Sequence, residues 1–213
     1  MAVDLEKFRA SLEAIYYIEG IGLSSNVYLI GEKEITLIDT GSGDEMNSLK
    51  ETMGRSGFSM NDVSKVVLTH SHPDHTGGLI DLIMASSPTI LIHPVEAEYF
   101  DLDEASIMKV VEGDVIETSS HRLKVIHTPG HTAGSICLYD SDNRILFSGD
   151  TVFTNGAFGR TDLPTGNAGA MKESLKRLTE FKVDSLLPGH EEPVPENGNA
   201  HVKLSYEMAR SYF

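Results

Sequence analysis

Four apolar stretches in this sequence stop abruptly at histidine or aspartate, and that recurrence limits the fold more than any other feature. VVLT at 66–69 runs into His70-Ser-His-Pro-Asp-His75, RLKVIHTPG into His131, RILFSG into Asp150 and DSLLPG into His190. A β-strand holds its last residue rigidly, and the loop beyond it leaves room for a ligand. Strand ends that all carry titratable or metal-binding groups suit a layered fold in which those ends gather at one edge.

The rest of the pattern agrees with layers. NVYLIG (26–31) and EITLID (34–39), joined by Gly-Glu-Lys, predict a hairpin after a shorter strand in AIYYIEG. In GDEMNSLKETMGRSG, Met46, Leu49 and Met53 recur at helical spacing, and Gly54 and Gly57 supply a stop, which predicts the first helix. SKVVLTH, TGGLIDLIMASS and TILIHP read strand, helix, strand and so imply a parallel pair. From Asp114 the order repeats, with strands in DVIET, RLKVIHTPG, SICLYD and RILFSGD, a helix in AGAMKESLKRLTEF, a strand in DSLLPGH and a closing helix in HVKLSYEMARSYF. EEPVPENGN at 191–199 is a loop. Two halves of strands followed by helices predict an α/β architecture of two sheets packed face to face with helices outside, in one domain spanning 1–213.

Composition narrows the functions. Hydrophobic residues at 40% and charged residues at 23% give an ordinary globular balance, so the chain folds. The formal charge of -15 repels nucleic acid and anionic lipid, so neither is an expected partner. MAVDLEKFRA is charged where a signal peptide is apolar, and no run is long enough to span a membrane, so the expected location is cytoplasmic. Cys137, the one cysteine, lies in the alternating segment SICLYD and reads as a buried core thiol rather than a nucleophile.

A lone histidine is ordinarily a structural residue, and His93, His121, His127 and His201 are read that way. The cluster at 70–75 is different. His70 and His72, two apart in extended chain, can aim their rings alike, and a turn set by Pro73 can bring Asp74 and His75 to a second point. Crowded imidazoles beside a carboxylate are costly to desolvate without a compensating cation or hydrogen bonds.

Together HSHPDH, PGHTAGS, SGDTVF and PGH, in that order, resemble the metallo-β-lactamase superfamily over nearly the whole chain. The resemblance implies a four-layer αββα sandwich with a dinuclear site between the sheets. It implies that His70, His72 and His131 hold one metal, that Asp74, His75 and His190 hold the other, and that Asp150 bridges both. Where true lactamases typically carry cysteine this chain has Asp150, which disfavours antibiotic hydrolysis. Nitrogen and oxygen ligands without a thiolate suit two divalent ions, zinc first, with iron or manganese as alternatives. Two cations sharing one water lower its pKa to about 7, giving hydroxide beside the carboxylates of Asp74 and Asp150. Asp39 in LIDTG resembles the superfamily's first-half aspartate, which orients metal ligands from behind.

DTVFTNGAFGRTDLPTG resembles the glyoxalase II branch, which implies thioester or ester hydrolysis, with Arg160 in contact with a substrate carboxylate. An ion pair between Arg160 and Asp162 is an equally weighted reading. Asp162 stands where glutathione-using members often have an aromatic, and the extra helical domain that completes their thiol site is not matched, so the expected substrate is an acyl thioester of another small thiol. The rival chemistry is that of a mononuclear iron persulfide dioxygenase, with His70, His131 and Asp150 as its ligands. A nuclease is disfavoured by the charge, and a non-catalytic module by the intact ligand set.

Overall fold

The computed structural model describes residues 1–212. Its strands are β1 (Val3–Asp4), β2 (Ile15–Ile18), β3 (Val27–Ile30), β4 (Ile35–Ile38), β5 (Val63–Val67), β6 (Thr89–Ile92), β7 (Ile107–Lys109), β8 (Val115–Glu117), β9 (Arg122–His127), β10 (Ile136–Asp140), β11 (Ile145–Gly149) and β12 (Ser185–Pro188). The helices are α1 (Leu49–Arg55), α2 (Pro73–Thr76), α3 (Leu79–Ser86), α4 (Pro94–Ala97), α5 (Ala168–Leu178) and α6 (Gly198–Tyr212). One sheet runs β1-β2-β3-β4-β5-β6-β7 and the other β12-β11-β10-β9-β8. β1 to β4 pair antiparallel and β4 to β7 parallel. In the second sheet only β11 and β12 run parallel, joined through α5.

Period-two alternation decides which side chains fill which layer. Tyr28, Ile30, Ile38, Val67 and Leu91 face Leu123, Val125, Leu138, Phe147 and Leu187 across the sandwich. Their alternates Leu29, Leu37, Val66 and Leu68 pack outward with Leu49, Met53 and Leu82 of α1 and α3. Cys137, Tyr139 and Leu146 do the same on the second sheet with Met171, Leu175 and Val202 of α5 and α6. Each fully buried large apolar side chain contributes about 1.5–3 kcal/mol, so three continuous layers fix the sheets' relative placement. Tyr28 meets Phe147 edge-on across the interior at 5.4 Å. The expected α/β class and the two packed sheets with outer helices are both present.

Three local expectations change. The helix expected across 43–57 is split. Asp44 Oδ1 accepts the N–H groups of Met46 and Asn47, which starts a 3-10 turn over Glu45–Asn47, and Ser48 separately caps α1. These side-chain bonds outcompete helix continuation, leaving Met46 68% exposed while Met53 is fully buried. The turn expected at Pro73 is one turn of helix, with proline at its first position, where no N–H is needed. β1, β7 and α4 are too short to leave a periodic signal. α6 is the expected closing helix, whose expected last residue, Phe213, lies outside the described residues. Among the described residues no helix is long and apolar enough to cross a membrane.

Candidate metal centre

Beyond β5 the chain stays extended. Leu68 donates its N–H to the Leu91 carbonyl at 2.9 Å, and Thr69 accepts from the Ile136 N–H at 3.0 Å, which ties the two sheets together where the site begins. His70 follows, and His72 precedes Pro73 with extended dihedrals. α2 then turns Asp74 and His75 to another direction. Its backbone is held from behind, since Thr40 donates both its N–H (2.7 Å) and its hydroxyl (3.0 Å) to the His75 carbonyl, and Ser25 N–H donates to that of Asp74 at 2.9 Å.

The predicted residues converge. His72 Nδ1 lies 3.1 Å from His70 Nε2 and 2.9 Å from His131 Nε2. His190 Nε2 lies 3.2 Å from Asp74 Oδ2, and His75 Nε2 lies 3.8 Å from it. Asp150 stands between, with Oδ1 3.1 Å from His75 Nε2 and Oδ2 3.4 Å from His131 Nε2 and 3.6 Å from His190 Nε2. Donor atoms of His70, His72 and His131, of Asp74, His75 and His190, and of His70, His75 and Asp150 form three groups, each within 4.8 Å, able to surround a metal ion. His70, His75, His131 and Asp150 are buried, whereas His72, Asp74 and His190 are half-buried at the open side.

Partners behind the rings dictate which nitrogen faces inward. The Thr69 hydroxyl spends its one proton on Asp39 Oδ2 at 2.8 Å, so it accepts from His70 Nδ1 at 3.1 Å. His75 Nδ1 donates to Asp39 Oδ2 at 2.7 Å and His131 Nδ1 to the Arg160 carbonyl at 2.8 Å. A neutral ring held this way turns a bare Nε2 lone pair inward, as a metal requires. Asp39 adopts φ +58 and also accepts the Thr69 N–H at 2.8 Å, so this strained aspartate orders the backs of two site histidines.

Electrostatics point the same way. Burial, and then the positive charge of neighbouring His75, push the His70 pKa well below 6.5. Burial, then His131, lowers His72. On His75 burial opposes charge, but Asp150 and Asp39 outweigh it and raise its pKa well above 6.5. Asp150 is fully buried, which opposes ionisation, yet His75, His70 and His190 keep it ionised far below the usual carboxylate range. The centre therefore demands positive charge between carboxylates. Within it His75 Nε2 and Asp150 Oδ1, 3.1 Å apart, are buried without a hydrogen-bond partner. A divalent cation fits this donor set and would satisfy both atoms. The space is made by glycine. A Cβ at Gly189 would stand 2.5 Å from Asp150 Oδ1 and 2.8 Å from His75 Cε1.

The Arg160 guanidinium grips Asp162 through two bonds of 2.7 and 2.8 Å, a pairing that holds the Asp162 carboxyl down at about 2. The structure thus contains the ion pair, and the Arg160 group that touches the site is its carbonyl. The four histidines read as structural have other partners. His121 bonds Asp140 Oδ2 at 2.7 Å, His201 Nδ1 accepts the Asn155 N–H at 2.9 Å, and His93 stacks on His127 at 4.4 Å. Thr69 and Glu96 escaped the sequence reading. Thr69, a polar residue ending an apolar strand just before His70, carried a usable signal, but Glu96, one of two glutamates in HPVEAE, did not.

A model described as metallo-beta-lactamase superfamily matches residues 20–190. The protein named probable metallo-hydrolase MJ0888, from Methanocaldococcus jannaschii, is 34% identical over 209 residues, covering 89% of this chain and 98% of that one. The human acyl-coenzyme A thioesterase MBLAC2 is 29% identical over 214 residues, covering 79% and 74% of the two chains. The crystal structure of TTHA1623 in a di-iron-bound form superposes with a TM-score of 0.70 at 27% identity, covering 90% of this chain and 97% of that one. With its motifs at adjoining strand ends and the family model spanning most of its length, this chain belongs to the metallo-beta-lactamase superfamily.

Proposed function

We propose that this enzyme is a dinuclear metal hydrolase that cleaves an acyl thioester or ester. In this reading His70, His72 and His131 would hold one divalent ion and Asp74, His75 and His190 the second, with Asp150 able to offer an oxygen to each. The observation that carries it is the placement of Asp150, whose Oδ1 faces His75 while its Oδ2 faces both His131 and His190. Bound cations would lower the pKa of a shared water to about 7 and polarise the substrate carbonyl. The chain's own residues do the rest. Asp39 and the Arg160 carbonyl keep the ring protons of His75 and His131 on their outer nitrogens. Asp74 and His190, half-buried and 3.2 Å apart, stand at the open side, where a substrate would enter.

Thioester chemistry is favoured over other acyl transfers by the sequence stretch GRTDLP and by the human relative named as an acyl-coenzyme A thioesterase. Zinc is the first choice of metal, with iron and manganese next, as suits an all-nitrogen and oxygen set. The test combines metal analysis of protein purified without added metal with steady-state assays on acyl-coenzyme A, acyl-glutathione, simple esters and lactones. Two metal equivalents, and hydrolysis that chelator abolishes and zinc restores, are expected. One iron per chain with oxygen uptake on a persulfide would replace this reading with the dioxygenase one, and activity confined to phosphodiesters would end it.

A further inference from the structure

We infer that Glu96 is a positioning residue for the His70, His72 and His131 set, a role that rests on the dinuclear reading above. Glu96 sits in α4, is 1% exposed, and its carboxylate bonds to Ser71 and Gly134 rather than to a proposed ligand. It thus joins the two loops that carry those ligands. Oε2 accepts both the N–H of Ser71, at 3.0 Å, and the Ser71 hydroxyl, at 2.5 Å. Oε1 accepts the N–H of Gly134 at 2.8 Å. Ser71 lies between His70 and His72, and Gly134 is three residues beyond His131.

A buried carboxylate is retained only where its lone pairs are used, and here every donor comes from those two loops. Gly134 is part of the same device. A Cβ there would fall 2.7 Å from Glu96 Cγ, 2.8 Å from Oε1 and 2.9 Å from His93 Nδ1, so only glycine lets its N–H approach. His70 and His131 are set from behind by Thr69 and the Arg160 carbonyl. Those bonds fix ring orientation but not the gap between the loops, which Glu96 sets at their far side from the Ile136–Thr69 backbone bond. Of the second set, Asp74 and His75 lie on α2, whose carbonyls are held by Ser25 and Thr40, and His190 follows β12, so the Glu96 bonds do not fix them directly.

Loss of Glu96 should therefore weaken one metal equivalent and spare the other. The experiment is equilibrium titration of metal-free full-length protein with zinc, comparing wild type with Glu96→Gln, alongside thermal melting of the metal-free forms. Expected are two equivalents in the wild type, and in Glu96→Gln one unchanged and one weakened about 10–100-fold. His72→Ala should weaken the same equivalent, with the double variant adding less than the product of the two effects. Glu96→Gln binding both equivalents as wild type does, or losing both equally, overturns the inference and leaves the dinuclear reading standing. Wild-type protein that takes up no divalent metal sinks both. Should Glu96→Gln fail to fold, Ser71→Ala carries the test, since it removes the hydroxyl donor and keeps both backbone donors. It should show the same selective loss, several-fold in size, and unchanged binding by it overturns the inference.

Discussion

Replacing Asp39 by asparagine removes one charge and no volume, yet it should disturb two proposed ligands at once. The carboxylate accepts three bonds, from Thr69 N–H at 2.8 Å, the Thr69 hydroxyl at 2.8 Å and His75 Nδ1 at 2.7 Å. Asparagine has one oxygen, and keeping the Thr69 N–H uses it. Its NH2 then faces the hydroxyl and His75 Nδ1, which must both become acceptors. Thr69 in turn directs its proton at His70 Nδ1. Both rings are driven to the opposite tautomer, with Nε2–H pointing inward where a lone pair is needed. A lost charge-assisted bond costs about 1.5–3 kcal/mol of folding stability, and at about 2–4 °C per kcal/mol for a chain of this size the melting point should fall by about 3–12 °C. Metal affinity should fall about 10–100-fold, or about 1.4–2.8 kcal/mol. Calorimetric zinc titration and thermal melting of the metal-free protein read the two effects separately. An Asp39→Asn protein that binds zinc with wild-type affinity and melts at the wild-type temperature would refute the tautomer argument.

Gly189→Ala should leave a folded protein with at least about 100-fold lower hydrolase activity, because the new Cβ would press Asp150 Oδ1 from 2.5 Å; wild-type kcat/KM would show that the carboxylate is free to move. His121 is raised in pKa because its bond to Asp140 outweighs burial, so its contribution is complete below the ordinary 6.5 and is lost as pH rises through the raised value. The melting-point gap between wild type and His121→Gln should accordingly be wider at pH 5.5 than at pH 9, and a gap that is constant or grows with pH would contradict it. Burial pushes the Cys137 thiol up to about 11. It should resist an aromatic disulfide reagent at pH 8 in the native state and react once denaturant is added, whereas rapid native labelling would mean that the second outer layer opens readily.

The donor residues could be found in the chain because their signal is local: an apolar run, then a histidine or aspartate, repeated at VVLT, RLKVIHTPG, RILFSG and DSLLPG. The layers were readable for a related reason, since alternation along β3, β4 and β5 and helical spacing in α3 and α5 are properties of short segments. Asp44 and Ser48 broke an expected helix through bonds to their own neighbouring N–H groups, a competition that spacing alone does not resolve.

Sequence by itself determined the types of donor, their order and the strand ends that carry them, since each depends on residues within one turn or one strand. The family resemblance already anticipated Asp150 between the two donor groups and Asp39 behind the rings, whereas tertiary structure alone decided that the Arg160 carbonyl meets His131 and that Glu96 spans Ser71 and Gly134. Those contacts join residues far apart in the chain, and a hydrogen bond a few ångströms long exists only once both sheets have packed and brought its two ends together.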